Sequence, residues 1–186
     1  PDFAIVTRQC MSGGTRAGVW TSLGVSSAIL LHVTYCILGV ALLLAQSTTL
    51  FNSMKYLAAA YLVYLGVQSI RASFRQTNTA LFTRGEVAIS PSKAFVVGFL
   101  TNGLNPKATL FFLALFTVVI DSNTPSSIQA LYGLYLAIAT FLWFSMLSKI
   151  LGRPNVRALI IKTRNWVERG MGAILILLAL QISMSA

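Results

Sequence analysis

The stretch Gly98-Phe99-Leu100-Thr101-Asn102-Gly103-Leu104-Asn105-Pro106-Lys107 decides how this chain is interpreted. It lies inside an apolar segment from Ala94 to Ile120, and about 20 helical residues suffice to cross a bilayer core. Glycines, asparagines, a proline and a lysine near the middle of such a segment are not typical of a plain membrane helix. A charged side chain at that depth is energetically costly, so Lys107 indicates a functional site. The glycine-proline break also releases backbone groups, as in the discontinuous helices of transporters.

The composition indicates an integral membrane protein. Of the 186 residues, 56% are hydrophobic and only 10% are charged, whereas soluble domains carry about 25% charged residues. The apolar pattern predicts an all-α fold with six transmembrane helices. These are residues 1–6, 17–45, 54–70, 94–120, 128–148 and 170 to the C-terminus. Because Pro1 falls inside the first apolar pattern, we expect the first helix to be truncated, with sequence missing upstream.

The basic residues predict the orientation of the spans. Two follow the first span, four follow the third and six follow the fifth, which together are 12 of the 14 lysines and arginines. Lys55 and Lys107 are the exceptions. Lysine and arginine are concentrated on the cytoplasmic side of membrane proteins. The net charge of +10 is therefore a topology signal and not a sign of nucleic-acid binding. It predicts cytoplasmic basic loops and a periplasmic C-terminus.

The six spans divide into two sets of three. Because three is an odd number, the two sets insert with opposite orientations, which is the inverted-repeat architecture of many transporters. We assign residues 1–75 to the first repeat, residues 76–93 to a cytoplasmic loop and residues 94–186 to the second repeat. Breaks are then expected at matching places, at Pro1-Asp2 and at Asn105-Pro106-Lys107. The chain is predicted to be a single transmembrane domain.

The break in the fourth span predicts a substrate site. Asparagine is a favoured N-cap and proline suits the first helical position, so a second half-helix is expected to begin at Pro106. Its N-terminus would attract a carboxylate. Lys107 at that end needs an anionic partner, and Asp2 is the candidate, directly or through a bound zwitterion. The predicted substrate-binding residues are Asp2, Asn102, Asn105, Pro106 and Lys107. The simpler alternative is a kink at Asn105-Pro106 with Lys107 paired to Asp2.

Several of these segments resemble the lysine exporter superfamily, in particular its homoserine/threonine-resistance branch of small amino-acid exporters. The matching segments are Pro1-Asp2-Phe3, Arg8-Gln9, Arg16-Ala17-Gly18, His32-Val33-Thr34-Tyr35, Lys55-Tyr56-Leu57, Tyr64-Leu65-Gly66, Gly98-Phe99-Leu100 and Asn105-Pro106-Lys107-Ala108. The resemblance implies six spans, a bacterial inner-membrane location and efflux of amino acids or their derivatives, such as threonine, homoserine or leucine, driven by the proton gradient. It implies no cofactor. Some members carry an acidic residue in span two, where this chain has Ile29.

Proton coupling is expected to use Asp2 or His32, since these and Lys107 are the ionisable residues that the pattern places well inside the membrane. A lone histidine is more often a packing residue than a relay. Two other functions stay open at this stage. Export of another solute, such as a metal ion, would need a cluster of ligands, and the membrane interior offers only Asp2 and His32. An intramembrane enzyme would need a nucleophile paired with a base, and neither Ser26 nor Ser27 is well placed beside His32.

The small residues Gly14, Gly18, Ser22 and Ser26 recur every four positions and share one helix face. Such a stripe allows close helix packing, either within one chain or between chains, so a homo-oligomer is also left open. The partners expected from the sequence are thus an amino-acid substrate, protons and the lipid bilayer.

Overall fold

The structure, a computed structural model, describes residues 2–74, 89–119, 124–151, 166, 169–177 and 179–180. The helices are α1 (Asp2–Gln46), α2 (Thr48–Ala72), α3 (Pro91–Gly103), α4 (Pro106–Val119) and α5 (Ser126–Leu151). Residues 169–177 and 179–180 are also helical, and we call them the C-terminal helical segment. No strand occurs among the described residues. The all-α fold is therefore confirmed for this part of the chain.

Within the described residues, two helical stretches are long and apolar enough to cross a membrane, judged by length and composition. They are Asp2–Gly39 and Ser126–Leu151, and Pro106–Thr117 is a shorter apolar helix. The predicted spans left residues 46–53 outside the helices, but α1 ends at Gln46 and α2 begins at Thr48, so Ser47 alone separates α1 from α2. Polar residues continue inside this helix since their hydroxyls can bond to the preceding turn. Ser53 Oγ, for example, donates to the Thr49 carbonyl at 3.0 Å.

Helix α1 is a hairpin with two helical arms, residues 2–13 and 15–46. Gly14 has φ 76° and ψ 178°, a conformation that glycine adopts more easily than other residues. A Cβ added to Gly18 would lie 2.9 Å from Cβ of Cys10, although eight residues of straight helix span about 12 Å. The arms are therefore antiparallel. The first span was predicted over residues 1–6, and this end is wrong, because the helix continues to Gly13.

The break in the fourth span is confirmed. Ser90 caps α3, since its hydroxyl accepts from the Lys93 N–H at 3.4 Å and Pro91 begins the helix. Lys93, which was predicted to close the cytoplasmic loop, thus lies in the first turn of α3. The helix ends at Gly103 and α4 begins at Pro106, as predicted. Two irregular residues, Leu104 and Asn105, separate the two half-helices.

The chain forms two compact units. The first unit contains Pro1–Leu31, Thr77–Asn105 and Leu131–Lys162, and the second contains His32–Gln76, Pro106–Ala130 and Thr163–Ala186.

In the first unit, α1 and α3 approach each other at glycines. A Cβ on Gly24 would lie 2.1 Å from the Phe95 carbonyl oxygen, and one on Gly98 would lie 2.2 Å from the Thr21 carbonyl oxygen. No side chain fits in either place. The first arm of α1 packs on α5, where Cys10 Sγ donates to the Ser148 carbonyl at 3.2 Å. Gly18 of the predicted small-residue stripe also packs against Ser148, so this part of the stripe is used within one chain.

In the second unit, α2 packs against α4 and against the C-terminal helical segment. A Cβ on Gly66 would lie 2.7 Å from the Gly172 carbonyl oxygen, and a Cβ on Gly172 would lie 2.7 Å from the Gly66 carbonyl oxygen. The two segments are antiparallel, since the residue number falls on one as it rises on the other. The contacts that show this are Gly66 with Ile176, Ile70 with Gly172 and Ser73 with Arg169. Buried Leu62, Leu65, Ala114 and Leu175 form the core beside this crossing.

Candidate functional site

Asp2 and Asn102 form a hydrogen-bonded pair in the first unit. Asn102 lies in the last turn of α3, two residues before the break begins, and it is buried with 2% of its surface exposed. Asp2 is half-buried at the start of the first arm of α1. Asn102 Nδ2 donates to Asp2 Oδ2 at 2.9 Å. Two of the residues predicted to bind substrate are therefore brought together, at the end of a broken helix.

The other carboxylate oxygen of Asp2 is the unusual feature of this pair. Oδ1 is buried, and it accepts no hydrogen bond from the part of the chain that the structure describes. Buried polar atoms almost always have a partner, so an exception of this kind needs an explanation. A carboxylate oxygen accepts hydrogen bonds when it is ionised and can carry a proton when it is not. Oδ1 is therefore suited to receive an ammonium group or a proton.

Asn105 and Pro106 stand where the polypeptide passes from α3 to α4. The Asn105 N–H donates to the Asn102 carbonyl at 3.0 Å. The break is thus hydrogen-bonded to Asn102, the residue whose side chain donates to Asp2. Asn105 is half-buried and belongs to the first unit. Pro106 is the first residue of α4 and belongs to the second unit. Pro1, where the matching break was predicted, lies outside the described residues, and α1 begins at Asp2.

Lys107 contacts a residue that the sequence analysis did not select. In the second unit, Lys107 Nζ donates to Gln68 Oε1 of α2 at 3.0 Å. Gln68 Nε2 in turn donates to Tyr64 Oη at 3.2 Å. All three side chains are exposed. The sequence signal that could have indicated Gln68 was its position one helical turn after Tyr64 in an otherwise apolar span.

His32 is fully buried in the second unit. Its ring stacks on Phe112, with ring centroids 5.3 Å apart and an interplanar angle of 11°. Its Nδ1 shares a hydrogen bond with Tyr35 Oη, and the two rings meet edge to face. His32 is thus both packed and hydrogen-bonded. In the described part of the chain, no three His, Cys, Asp or Glu residues come together as a metal site would require.

Comparison with known proteins identifies the family. The family model described as LysE type translocator matches residues 1–186, which is the whole chain. The chain belongs to this family. Its members are transporters and not enzymes, and the resemblance to the lysine exporters is confirmed. The chain is accordingly a membrane transporter of the efflux type.

Three relatives illustrate the similarity of this LysE-type chain to proteins of enteric bacteria. The uncharacterized membrane protein YahN of Escherichia coli is 27% identical, with 96% of this chain and 79% of YahN covered. A threonine efflux protein of Salmonella typhi is 22% identical, with 94% of this chain and 84% of that protein covered. A leucine efflux protein of Klebsiella pneumoniae is 30% identical, with 79% and 69% covered. No solved structure matches the chain.

Proposed function

We propose that this protein exports amino acids or their derivatives, of the threonine, homoserine or leucine kind, across the bacterial inner membrane. Membership of the LysE-type family and the names of the threonine and leucine efflux relatives support this substrate class. The single observation that carries the proposed site is the buried Oδ1 of Asp2, which lacks a partner among the described residues beside the α3 break.

Asp2 would bind the substrate ammonium through Oδ1 while Asn102 holds Oδ2. Charge-assisted hydrogen bonds of this kind are stronger than those between neutral groups. After release of the substrate, a proton would take the same position. Alternation of ammonium and proton at one carboxylate makes the exchange an antiport, because the two cannot occupy the site together.

The substrate carboxylate would be held at the break by Asn105 and by the N-terminus of α4 at Pro106, with Lys107 providing positive charge. Helix N-termini favour anions because their first N–H groups lack partners inside the helix. His32 is the alternative candidate for proton coupling, and its Nδ1 shares a hydrogen bond with Tyr35 Oη.

The proposed architecture is two inverted repeats, residues 1–75 and 94–186, joined by a cytoplasmic loop at residues 76–93. The crossing of α2 with the C-terminal helical segment agrees with it. These two would be the third helices of the two repeats, and they pack antiparallel at Gly66 and Gly172. Inverted repeats place corresponding helices in opposite directions.

The function is tested with the purified protein in proteoliposomes. Efflux of labelled threonine, homoserine and leucine is measured against protein-free liposomes, with a labelled sugar as the control solute. We expect at least one of the three amino acids to leave protein-containing liposomes faster, and the sugar to leave both kinds at the same rate. Rates equal to those of protein-free liposomes for a full panel of amino acids would contradict the proposal.

A further inference from the structure

We propose that Tyr64, Gln68 and Lys107 form a donor row that binds the carboxylate of the substrate. This inference rests on the proposed function and adds Tyr64 and Gln68, which neither the sequence nor the family comparison assigned to the site.

The row is continuous. Lys107 Nζ donates to Gln68 Oε1 at 3.0 Å, and Gln68 Nε2 donates to Tyr64 Oη at 3.2 Å. Tyr64 and Gln68 are four residues apart on α2, so their side chains lie on the same helix face. The row therefore links the first turn of α4 to one turn of α2, with the cation at one end and the phenol at the other.

The direction of the bonds determines what the row can bind. The oxygen of Tyr64 accepts a hydrogen bond from Gln68. The hydroxyl hydrogen of Tyr64 therefore points away from Gln68 and can be donated to a bound ligand. The positive charge of Lys107 polarises the amide of Gln68, and the amide polarises the hydroxyl, since bonds in a chain strengthen one another. The phenol is thus a stronger donor than an isolated tyrosine. A row that ends in a cation and a hydroxyl donor is suited to an anion and not to a second ammonium.

The exposure of the row indicates a water-lined surface. Lys107 and Gln68 are exposed, and Tyr64 is 56% exposed. Charged residues in the apolar part of a membrane protein do not face lipid and instead line cavities or substrate pathways. The nearby Tyr61 differs, because its half-buried ring packs against the core of the second unit. Its ring also contacts that of Tyr64, with centroids 5.9 Å apart, but Tyr61 is not one of the three hydrogen-bonded residues of the row.

A carboxylate fits this row by its charge and by its hydrogen-bonding capacity. Its two oxygens accept several hydrogen bonds, so one can meet the ammonium of Lys107 while the other meets the hydroxyl of Tyr64. An amide in place of the carboxylate has one acceptor oxygen and no charge, and it would lose most of this interaction. The row therefore predicts selection for an acid group with Lys107 as its cation.

The test uses Tyr64→Phe and Gln68→Leu in proteoliposomes, with Tyr61→Phe as the matched control. Tyr61→Phe also removes one phenol hydroxyl from α2, but one outside the row. The KM for efflux is measured for leucine and leucinamide, and for threonine and threoninamide. We expect both row variants to raise the KM for the amino acid by about tenfold, the loss typical of a hydrogen bond to a charged group. The KM for the amide and the kinetics of Tyr61→Phe should stay unchanged.

A KM for leucine and threonine that is unchanged in both row variants would overturn the inference while leaving amino-acid export intact. An equal rise for the amino acid and its amide would also overturn it, because it would show a general change of the pathway. If the wild-type protein neither exports nor binds either amino acid, the proposed function fails and this inference fails with it. Thermal unfolding of each variant in detergent checks that the substitutions leave the fold unchanged, as expected for exposed side chains.

Discussion

At the scale of single residues, the contact between Asp2 and Asn102 joins two side chains 100 positions apart. The amide supplies the donor that fixes Oδ2, so that Oδ1 keeps one orientation. Asn102→Leu preserves the approximate volume but removes this donor. We expect the affinity for the exported amino acid to fall by about tenfold, the usual effect of losing a hydrogen bond to a charged group. Isothermal titration calorimetry on the purified wild type and variant measures this affinity.

Thr21→Val is the matched control for that substitution. Thr21 is buried in the same unit, but its hydroxyl donates to the Ala17 carbonyl of its own helix at 2.9 Å. Its replacement removes a buried polar group without touching Asp2. Equal losses of affinity in both variants would contradict a specific role for Asn102.

The sequence indicated the residue types of the site but not their contacts. Asp2, Asn102 and Lys107 stand out because polar side chains are costly in apolar segments. The position of Gln68 one turn after Tyr64 is visible in the sequence, but its contact with Lys107, 39 positions away, is not. Such a contact is set by how α2 packs against α4, and helical periodicity within α2 carries no information about it.

At the scale of helices, the crossing of Gly66 and Gly172 gives a stability prediction. A methyl group at residue 172 would lie 2.7 Å from the Gly66 carbonyl oxygen, which is closer than van der Waals contact allows. Gly172→Ala should destabilise the fold by about 1–3 kcal/mol, as overpacking usually does. Gly170→Ala is the control, because a Cβ there meets nothing within 4 Å. It should leave stability unchanged or raise it by up to about 1 kcal/mol.

Thermal unfolding in detergent, followed by tryptophan fluorescence, compares the two alanine variants. We expect a lower melting temperature for Gly172→Ala alone. Equal melting temperatures for both variants would show that the two helical segments do not approach as closely as this crossing requires.

Helix boundaries could be predicted where a single residue in the sequence marks them. Pro106 begins α4 as expected, because proline fits only the start of a helix. The end of the first helical arm was misplaced because polar residues were taken as the end of the helix. Ser12 Oγ instead donates to the Arg8 carbonyl at 2.9 Å, so this hydroxyl is satisfied inside the helix.

At the scale of the whole molecule, the proposed orientation predicts which loops are accessible from each side. Single cysteines at Arg84, in the basic loop, and at Ser126, at the start of α5, can be labelled with a membrane-impermeant maleimide. We expect Ser126→Cys to react in intact cells and Arg84→Cys to react only in inverted vesicles. The native Cys10 and Cys36 are both buried, so the unmodified protein is the background control. Reaction of Arg84→Cys in intact cells would reverse the proposed topology.

The central claim is that Asp2 carries the substrate ammonium and the proton in turn. Its most direct test is amino-acid efflux from proteoliposomes with and without an imposed proton gradient, for the wild type and for Asp2→Asn. Asparagine keeps the size of the side chain but cannot be charged. The account predicts that the gradient accelerates efflux by the wild type and has no effect on the variant. Gradient-driven efflux by Asp2→Asn at the wild-type rate would contradict it.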